Sequence, residues 1–523
     1  MAREFEESPR LASVLGRPGF DHRLDDLTQA GFARRERDDA VWLERFRALD
    51  VDGLSPEQAI DRAFVVATLE YRLASAEWQE WRRSPEVYLE TGVTELFLMG
   101  LYPEDELTDS AVARLEGIGA LLEAGRANLD PARASRVVVD RSLAECVADI
   151  GFARHEVAGL ATGSANRARL ARAGETAARA YERFAAFLEE LAAGCTGSHV
   201  FGEDRYNDRL RIGELLDTDV GALRRRGWEE YERVSAEMAA LSEQLTGSPD
   251  WHSLVHRLQQ RHASSPEELR AEYEAVCDSA RAFMVDHDLV SDPPDERCRV
   301  IPAPPAIRAS LAVACYLAPP MFQPSKVGHF CVPFPVDADD PEEVAGLLQS
   351  NASYSVATTA VHEAYPGHHW HLMTMKEARP VRRLFEAAYF VEGWALYTEG
   401  MMRRSGFFTP EQELGQLEGR LLRAARIIVD TSLHTGAMTI DDAVAFMHER
   451  TLMPLPTARS EVARYCAWPT QASAYLTGAL AIEEARDVWV GRGGTLKSFH
   501  DALAGSGAMP VPLAVAAIGA RAD

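Results

Sequence analysis

Thr358-Thr-Ala-Val-His362-Glu363-Ala-Tyr-Pro366-Gly367-His368-His369-Trp-His371 is the stretch richest in chemistry in this 523-residue chain. A His-Glu pair on a helix with a second His one turn later can bind a metal ion. The two imidazoles hold the ion from one face and the intervening glutamate serves as general base. Here the position one turn after His362 is Pro366, so the plain spacing fails. Two geometries restore a second imidazole. On a straight helix His369 returns to the face of His362, but about 10.5 Å further along the axis. That is a long reach for two rings sharing one ion at roughly 2.0–2.1 Å. Alternatively Pro366-Gly367 breaks the helix, since proline removes a hydrogen bond and clashes with the preceding turn. A bulge of two residues then brings His368 to the second-ligand place, and His368 is the residue expected there. Four of the fifteen histidines fall between His362 and His371, a density that surface histidines at a simple helix break do not explain.

A third ligand has to come from a neighbouring helix and be a carboxylate or an imidazole. Downstream lies Phe390-Val-Glu392-Gly393-Trp-Ala-Leu-Tyr397-Thr-Glu399. Glu392 interrupts an apolar, core-facing stretch where an unpartnered carboxylate is costly. Gly393 beside it would let another helix approach closely. Glu399, on the same face, is an alternative ligand, and pairing of Glu392 with Arg382 or Arg403 is the plainer explanation.

Around this centre the chain is mainly α. Between about 20 and 290 apolar residues return every three or four positions, as in Val112, Leu115, Ile118, Leu121 and Leu122, the stripe of an amphipathic helix. Helices are expected at 55–80, 108–127, 166–193, 219–245 and 266–286. The composition then changes: eleven prolines fall between Pro293 and Pro341, a density that breaks helices. Within it, Val327-Gly-His-Phe-Cys-Val-Pro-Phe-Pro-Val336 reads as a short strand whose prolines suit a sheet edge. Helical patterning resumes from 341 to 405 and at 411–433, 440–450, 457–465 and 470–490. An N-terminal helical region, 1–290, and a metal-site region, 291–523, are expected to form one continuous unit.

Composition excludes several functions. Hydrophobic residues make up 46%, which rules out disorder as the main state, and the net charge is -25. So acidic a chain is a poor partner for nucleic acid. Seven scattered cysteines without a CxxC pair argue against a disulfide framework or a thiolate zinc cluster. No apolar run reaches membrane-spanning length, and MAREFEESPRLASVLG lacks the apolar core of a signal peptide. No membrane association and a cytoplasmic location are expected. A serine nucleophile has no support, because no Gly-x-Ser-x-Gly elbow is present.

Together, His362-Glu-Ala-Tyr-Pro-Gly-His-His369 and Glu392-Gly-Trp-Ala-Leu-Tyr-Thr-Glu399 resemble the bacterial "domain of unknown function 885" family, whose members carry HExxPGHH followed by EGWAxYxE. The resemblance continues through Arg423-Ala-Ala-Arg426-Ile-Ile-Val-Asp430-Thr-Ser-Leu-His434, Glu461-Val-Ala-Arg464-Tyr465, Pro469-Thr-Gln471-Ala-Ser-Ala-Tyr475 and Phe499-His-Asp501, with a weaker echo in Gly202-Glu-Asp-Arg-Tyr206. It implies a large multi-helix, zincin-like fold of the gluzincin type, with a small β element before the metal-binding helix. His362, His368 and Glu392 would hold Zn2+ or another divalent metal, and Glu363 would be the general base. His434 would by resemblance be an oxyanion donor or support for the site, a satisfied core histidine being the plainer alternative. Apart from the resemblance, Arg464-Tyr465 and Tyr475 interrupt apolar helical runs with polar groups. Tyr475 is expected to aim its hydroxyl at an oxyanion, and Arg464 and Tyr465, with Phe330 on the strand, to contact substrate. Core tyrosines and a helix-end salt bridge are the alternative. Two departures touch the expected substrate wall. Ser432 and Thr470 stand where family members usually have glycine, and Gly328-His-Phe-Cys-Val-Pro333 stands where Gly-x-Phe-Tyr-Val-Asn is usual.

The activity expected is hydrolysis of an amide or peptide bond in a small molecule, a short peptide or an amino-acid conjugate. A biosynthetic reaction in the same metal pocket, or a metal-free binding protein on the same fold, are the alternatives. The cleft is expected between the 327–336 strand, acting as an edge, and the 457–478 helices.

Overall fold

The computed structural model describes residues 1–101, 107–308 and 311–522. The chain is mainly helical with one small sheet. Its contacts separate two compact units: Met1–Leu49, Thr68–Phe201 and Pro320–Ser325 in the first, Asp50–Ala67, Gly202–Pro319 and Lys326–Asp523 in the second. The compositional change near residue 290 falls inside the second unit.

In the first unit, α1 (Leu107–Asn128) and α2 (Arg136–Gly151) both pack on α3 (Ser164–Gly194). On α3, Leu170, Ala177, Tyr181, Phe184, Leu188 and Leu191 are buried, a period of about 3.6 that turns one face to the core. On α1 the stripe read from the sequence goes inside through Leu115, Ile118, Leu121 and Leu122.

The second unit holds every residue singled out for chemistry. It begins its core with α4 (Val220–Thr246) and α5 (Pro266–Asp286). Asp219 caps α4 by accepting from the Ala222 N–H at 2.8 Å, and Ser265 with Pro266 starts α5 in the expected way. The sheet follows: β1 (Arg297–Pro302), β2 (Cys315–Leu317) and β3 (Val327–Val332), in spatial order β1-β3-β2. β1 runs parallel to β3 and β2 antiparallel to it. This corrects the expectation of an edge at 327–336. β3 is the central strand, so its backbone groups are used on both sides, and Pro333 and Pro335 lie just beyond its end. β1 and β2 are the two edge strands.

The rest of the unit is α6 (Ser353–Glu363), α7 (His368–Met375), α8 (Ala388–Arg404), α9 (Pro410–His434), α10 (Leu455–Ala467) and α11 (Ala474–Gly491). The stretch 341–405 is thus several helices, because Pro366-Gly367 and Pro380 interrupt it. α9 is the spine, in contact with α4, α6 and α11. A capping box starts it: the Gln412 N–H donates to the Thr409 hydroxyl and the Thr409 N–H to the Gln412 side chain. Leu414, Leu417, Leu421, Ala424, Ala425 and Ile428 then face inward, each leucine contributing about 1.5–3 kcal/mol of apolar burial. α8 and α11 cross at Gly393 and Gly478, where a Cβ on Gly393 would sit 2.6 Å from the Gly478 backbone. Only hydrogen atoms fit at that crossing. It sets Glu392 on one helix against Tyr475 on the other. No helix of the described residues is long and apolar enough to cross a membrane.

Candidate metal centre

α6 ends at Glu363 and α7 begins at His368. The peptide between Tyr365 and Pro366 is cis, and Gly367 lies so close beneath the end of α6 that a Cβ there would collide with the His362 carbonyl. The Trp394 indole N–H donates to the Pro366 carbonyl at 2.9 Å, and its ring stacks on Trp370 at 5.5 Å. The break is therefore pinned by the tryptophan two residues after Glu392. Its effect is to place the His368 ring 4.8 Å from that of His362, nearly perpendicular to it.

Glu392 completes the cluster. Its Oε2 lies 3.7 Å from the Nε2 of His362 and 3.5 Å from the Nε2 of His368. Three ligands at about 2.0–2.1 Å from one ion in tetrahedral geometry stand roughly 3.3 Å apart, so these spacings fit a metal with little adjustment. The second ring nitrogen of His362, Nδ1, meets the Glu399 Oε1 at 2.8 Å. A carboxylate there fixes the ring's orientation and leaves Nε2 free to coordinate. Glu399 thus touches the histidine and stands behind it. His362, Glu363 and His368 also bring their donor atoms within 4.8 Å of one another, so Glu363 is beside the same point. The donor set of two imidazoles and a carboxylate suits zinc and accepts manganese or cobalt.

Electrostatics follow from burial and crowding. Burial disfavours the His362 cation, but the Glu392 and Glu399 carboxylates outweigh it and raise the ring to about 9. Burial also opposes charge on Glu392, and the two histidines overcome it, holding its carboxyl far below the usual range. For Glu363 burial wins: its pKa is raised, further helped by Glu392 and opposed by His368, His362 and the Tyr316 backbone N–H. That N–H comes from β2, an edge strand, which therefore runs alongside the glutamate. A raised carboxylate next to a metal-binding cluster is suited to taking and returning a proton.

His369 points elsewhere. Its Nε2 is hydrogen-bonded to Glu296, and its Nδ1 lies 2.8 Å from the Tyr316 hydroxyl. Tyr365 donates to Glu296 at 2.9 Å and Arg281 pairs with the same carboxylate at 2.7 Å. Nothing in the sequence signalled Glu296, which precedes His369 by a long and irregular stretch.

The remaining candidates divide. Tyr475 is at the centre: its ring stacks over His362 at 6.4 Å, and its hydroxyl accepts from the Gln471 amide at 3.3 Å. Arg464 is engaged by Glu461 at 2.9 Å and by Gln471 at 2.6 Å. Tyr465 is buried and donates to Glu461 at 2.7 Å. These two build a polar support instead of presenting free groups. Arg426, paired with Glu461 at 2.8 Å and 5.0 Å from the Tyr475 ring, belongs to the same support. His434 sits in a separate buried network: its Nε2 is 2.9 Å from the Tyr465 carbonyl and 3.6 Å from Asp430, which Tyr206 holds through a 2.5 Å hydrogen bond. Burial pushes Asp430 up to about 7 against the hydrogen bonds from Tyr206 and Ser473. Phe330, expected at the substrate wall, lies on central strand β3 with no exposed surface, its ring 5.1 Å from that of Tyr273.

The family described as bacterial protein of unknown function (DUF885) matches residues 9–518. No curated protein matches the sequence. Among solved structures, a protein described as a lipoprotein of unknown function from Shewanella oneidensis superposes with a TM-score of 0.80 at 21% identity, over 98% of this chain and 97% of that one. A protein described as a lipoprotein from Colwellia psychrerythraea gives a TM-score of 0.80 at 18% identity, over 99% and 96%. At such identities the likeness is one of fold.

Proposed function

The chain belongs to the DUF885 family of bacterial proteins, and from that premise and the site's geometry we propose that it is a metal-dependent hydrolase of an amide or peptide bond in a small substrate, on a zincin-like fold. One observation carries the proposal: a single oxygen of Glu392 within 3.7 Å of both imidazole Nε2 atoms, with the far side of His362 held by Glu399. His362, His368 and Glu392 would hold the ion, zinc by preference. Bound there, a divalent metal polarises a carbonyl and lowers the pKa of a coordinated water.

The chain's own residues supply the rest. Glu363, with its pKa raised by burial, accepts the proton of the attacking water and delivers it to the leaving amine. The Tyr475 hydroxyl, oriented by Gln471, is the donor available to a developing oxyanion. β2, an edge strand whose Tyr316 N–H meets Glu363, borders the site on the side of the general base. Elemental analysis of the purified chain, paired with chelator treatment and a screen of dipeptides against other small amides, tests the proposal. Bound zinc near one per chain and chelator-sensitive hydrolysis are expected; a chain that binds no divalent metal would end it.

A further inference from the structure

Two arginines, Arg423 and Arg426, lie over the Tyr475 ring, and only one of them has a carboxylate partner. Glu461 pairs with both Arg426 and Arg464. Arg423, whose Cζ lies 5.7 Å from the Tyr475 ring, has no carboxylate within ion-pair distance among the described residues. Its Nη1 donates to the Gly419 carbonyl at 3.2 Å, one turn back on its own helix, and its Nε is buried without an acceptor. Glu399 shares the space beside Gly419 with Arg423: a Cβ on that glycine would be 3.3 Å from the Arg423 Nη1 and 3.6 Å from the Glu399 Oε2. The two are nonetheless beyond pairing distance; Glu399 meets His362 through its other oxygen, Oε1, and Oε2 is buried without a hydrogen-bond partner. A half-buried guanidinium without a counter-charge is costly, and the cost is recovered when an anion completes it.

Resting on the hydrolase reading, we infer that Arg423, backed by Arg426 and Tyr475, anchors a carboxylate of the substrate. The substrates would then be small amides with a free carboxylate, such as short peptides with an uncapped C-terminus. The planar fork of arginine matches a carboxylate in two parallel hydrogen bonds. The place is also right. The Tyr475 ring lies 6.4 Å from that of His362 and 5.7 and 5.0 Å from the Arg423 and Arg426 Cζ atoms, so an anion held there lies one or two residues, at about 3.5 Å each, from a carbonyl at the metal cluster. Arg464, the anchor expected from the sequence, is excluded because Glu461 and Gln471 already occupy its donors.

The test measures binding, so that it does not depend on turnover. The zinc-loaded Glu363→Gln chain is titrated by calorimetry with N-acetyl-Ala-Ala and with its C-terminal amide. The acid is expected to bind at least about tenfold tighter, a preference that falls below about twofold when Arg423→Gln is added and is partly kept by Arg423→Lys. Zinc content is measured on every variant. Equal binding of acid and amide, binding of neither, or a preference that survives Arg423→Gln overturns the anchor. So does loss of zinc in Arg423→Gln, which would make Arg423 a support for Glu399. A chain that takes up no zinc overturns the hydrolase reading instead, while the acid–amide comparison on that chain still decides the anchor.

Discussion

His368 and His369 are neighbours in sequence, yet each joins a cluster of opposite character. Around His369, each imidazole nitrogen has a partner, Glu296 has Arg281 and Tyr365, and both His369 and Glu296 side chains are 0% exposed. Around His368, one carboxylate faces two imidazoles at distances too long for good hydrogen bonds, and the side chains are 12% and 21% exposed. In the first cluster every charge has a partner at contact distance; in the second the carboxylate and the two imidazole Nε2 atoms stand 3.5 and 3.7 Å apart. A buried polar cluster that satisfies itself rigidifies a fold. One whose imidazole Nε2 atoms face a shared carboxylate beyond hydrogen-bond distance is the arrangement on which the proposed metal site rests.

The largest effect that would break this contrast lies in the open cluster. Glu363→Gln keeps the side chain's shape and removes its proton acceptor, so turnover should fall about 10²- to 10⁴-fold with zinc retained; steady-state kinetics beside metal analysis check it, and undiminished turnover would place the chemistry elsewhere. Next come the two histidines. His368→Ala should lose zinc affinity by more than about 100-fold while melting close to the parent, since a direct ligand matters more than its support. His369→Ala should do the reverse, keeping zinc but losing about 3–5 kcal/mol of stability, because it leaves Glu296 buried with less compensation. Zinc competition titrations and urea unfolding distinguish the two, and a swap of these phenotypes would mean the clusters have been assigned the wrong way round.

Glu399→Gln sharpens the contrast further. It should weaken zinc by about 10- to 100-fold without abolishing it, as expected for a group that orients His362 from behind. A total loss in the same titration would make Glu399 a direct ligand. The smallest effect is at the rim. Thr470 has φ +73, in the left-handed region, and its carbonyl accepts from Tyr389 just before Gln471 and Tyr475. A β-branched residue is strained there, and glycine is what family members usually carry. Thr470→Gly should therefore raise stability by about 1 kcal/mol, the relief of strain exceeding glycine's entropy, seen as a higher urea midpoint; a lower midpoint would show that the threonine side chain stabilises the turn.

Much of this was legible before any coordinates. Hydrophobic period placed helices at 108–127, 266–286, 411–433 and 440–450 within a few residues of where they lie, because an amphipathic stripe is a local property of the chain. Proline chemistry foretold the break after Glu363, and the reach of an imidazole favoured His368 over His369. Gly393 was rightly read as a point of close helix approach, though nothing local pointed to Gly478 as its counterpart.

What the sequence alone determined, then, was helical identity, the interruption at Pro366-Gly367 and the residue types able to bind a metal, since each follows from periods, bond geometry and side-chain chemistry. The tertiary structure decided who meets whom. It made β3 central, with β1 and β2 as its edges, and buried Phe330. It paired Arg464 with Glu461 and left Arg423 without a counter-charge, and it joined His369 to Glu296 and His434 to the Tyr465 carbonyl. Strand order and ion pairing depend on contacts between residues far apart along the chain, and no local pattern encodes which of several equivalent partners the packed core will bring within reach.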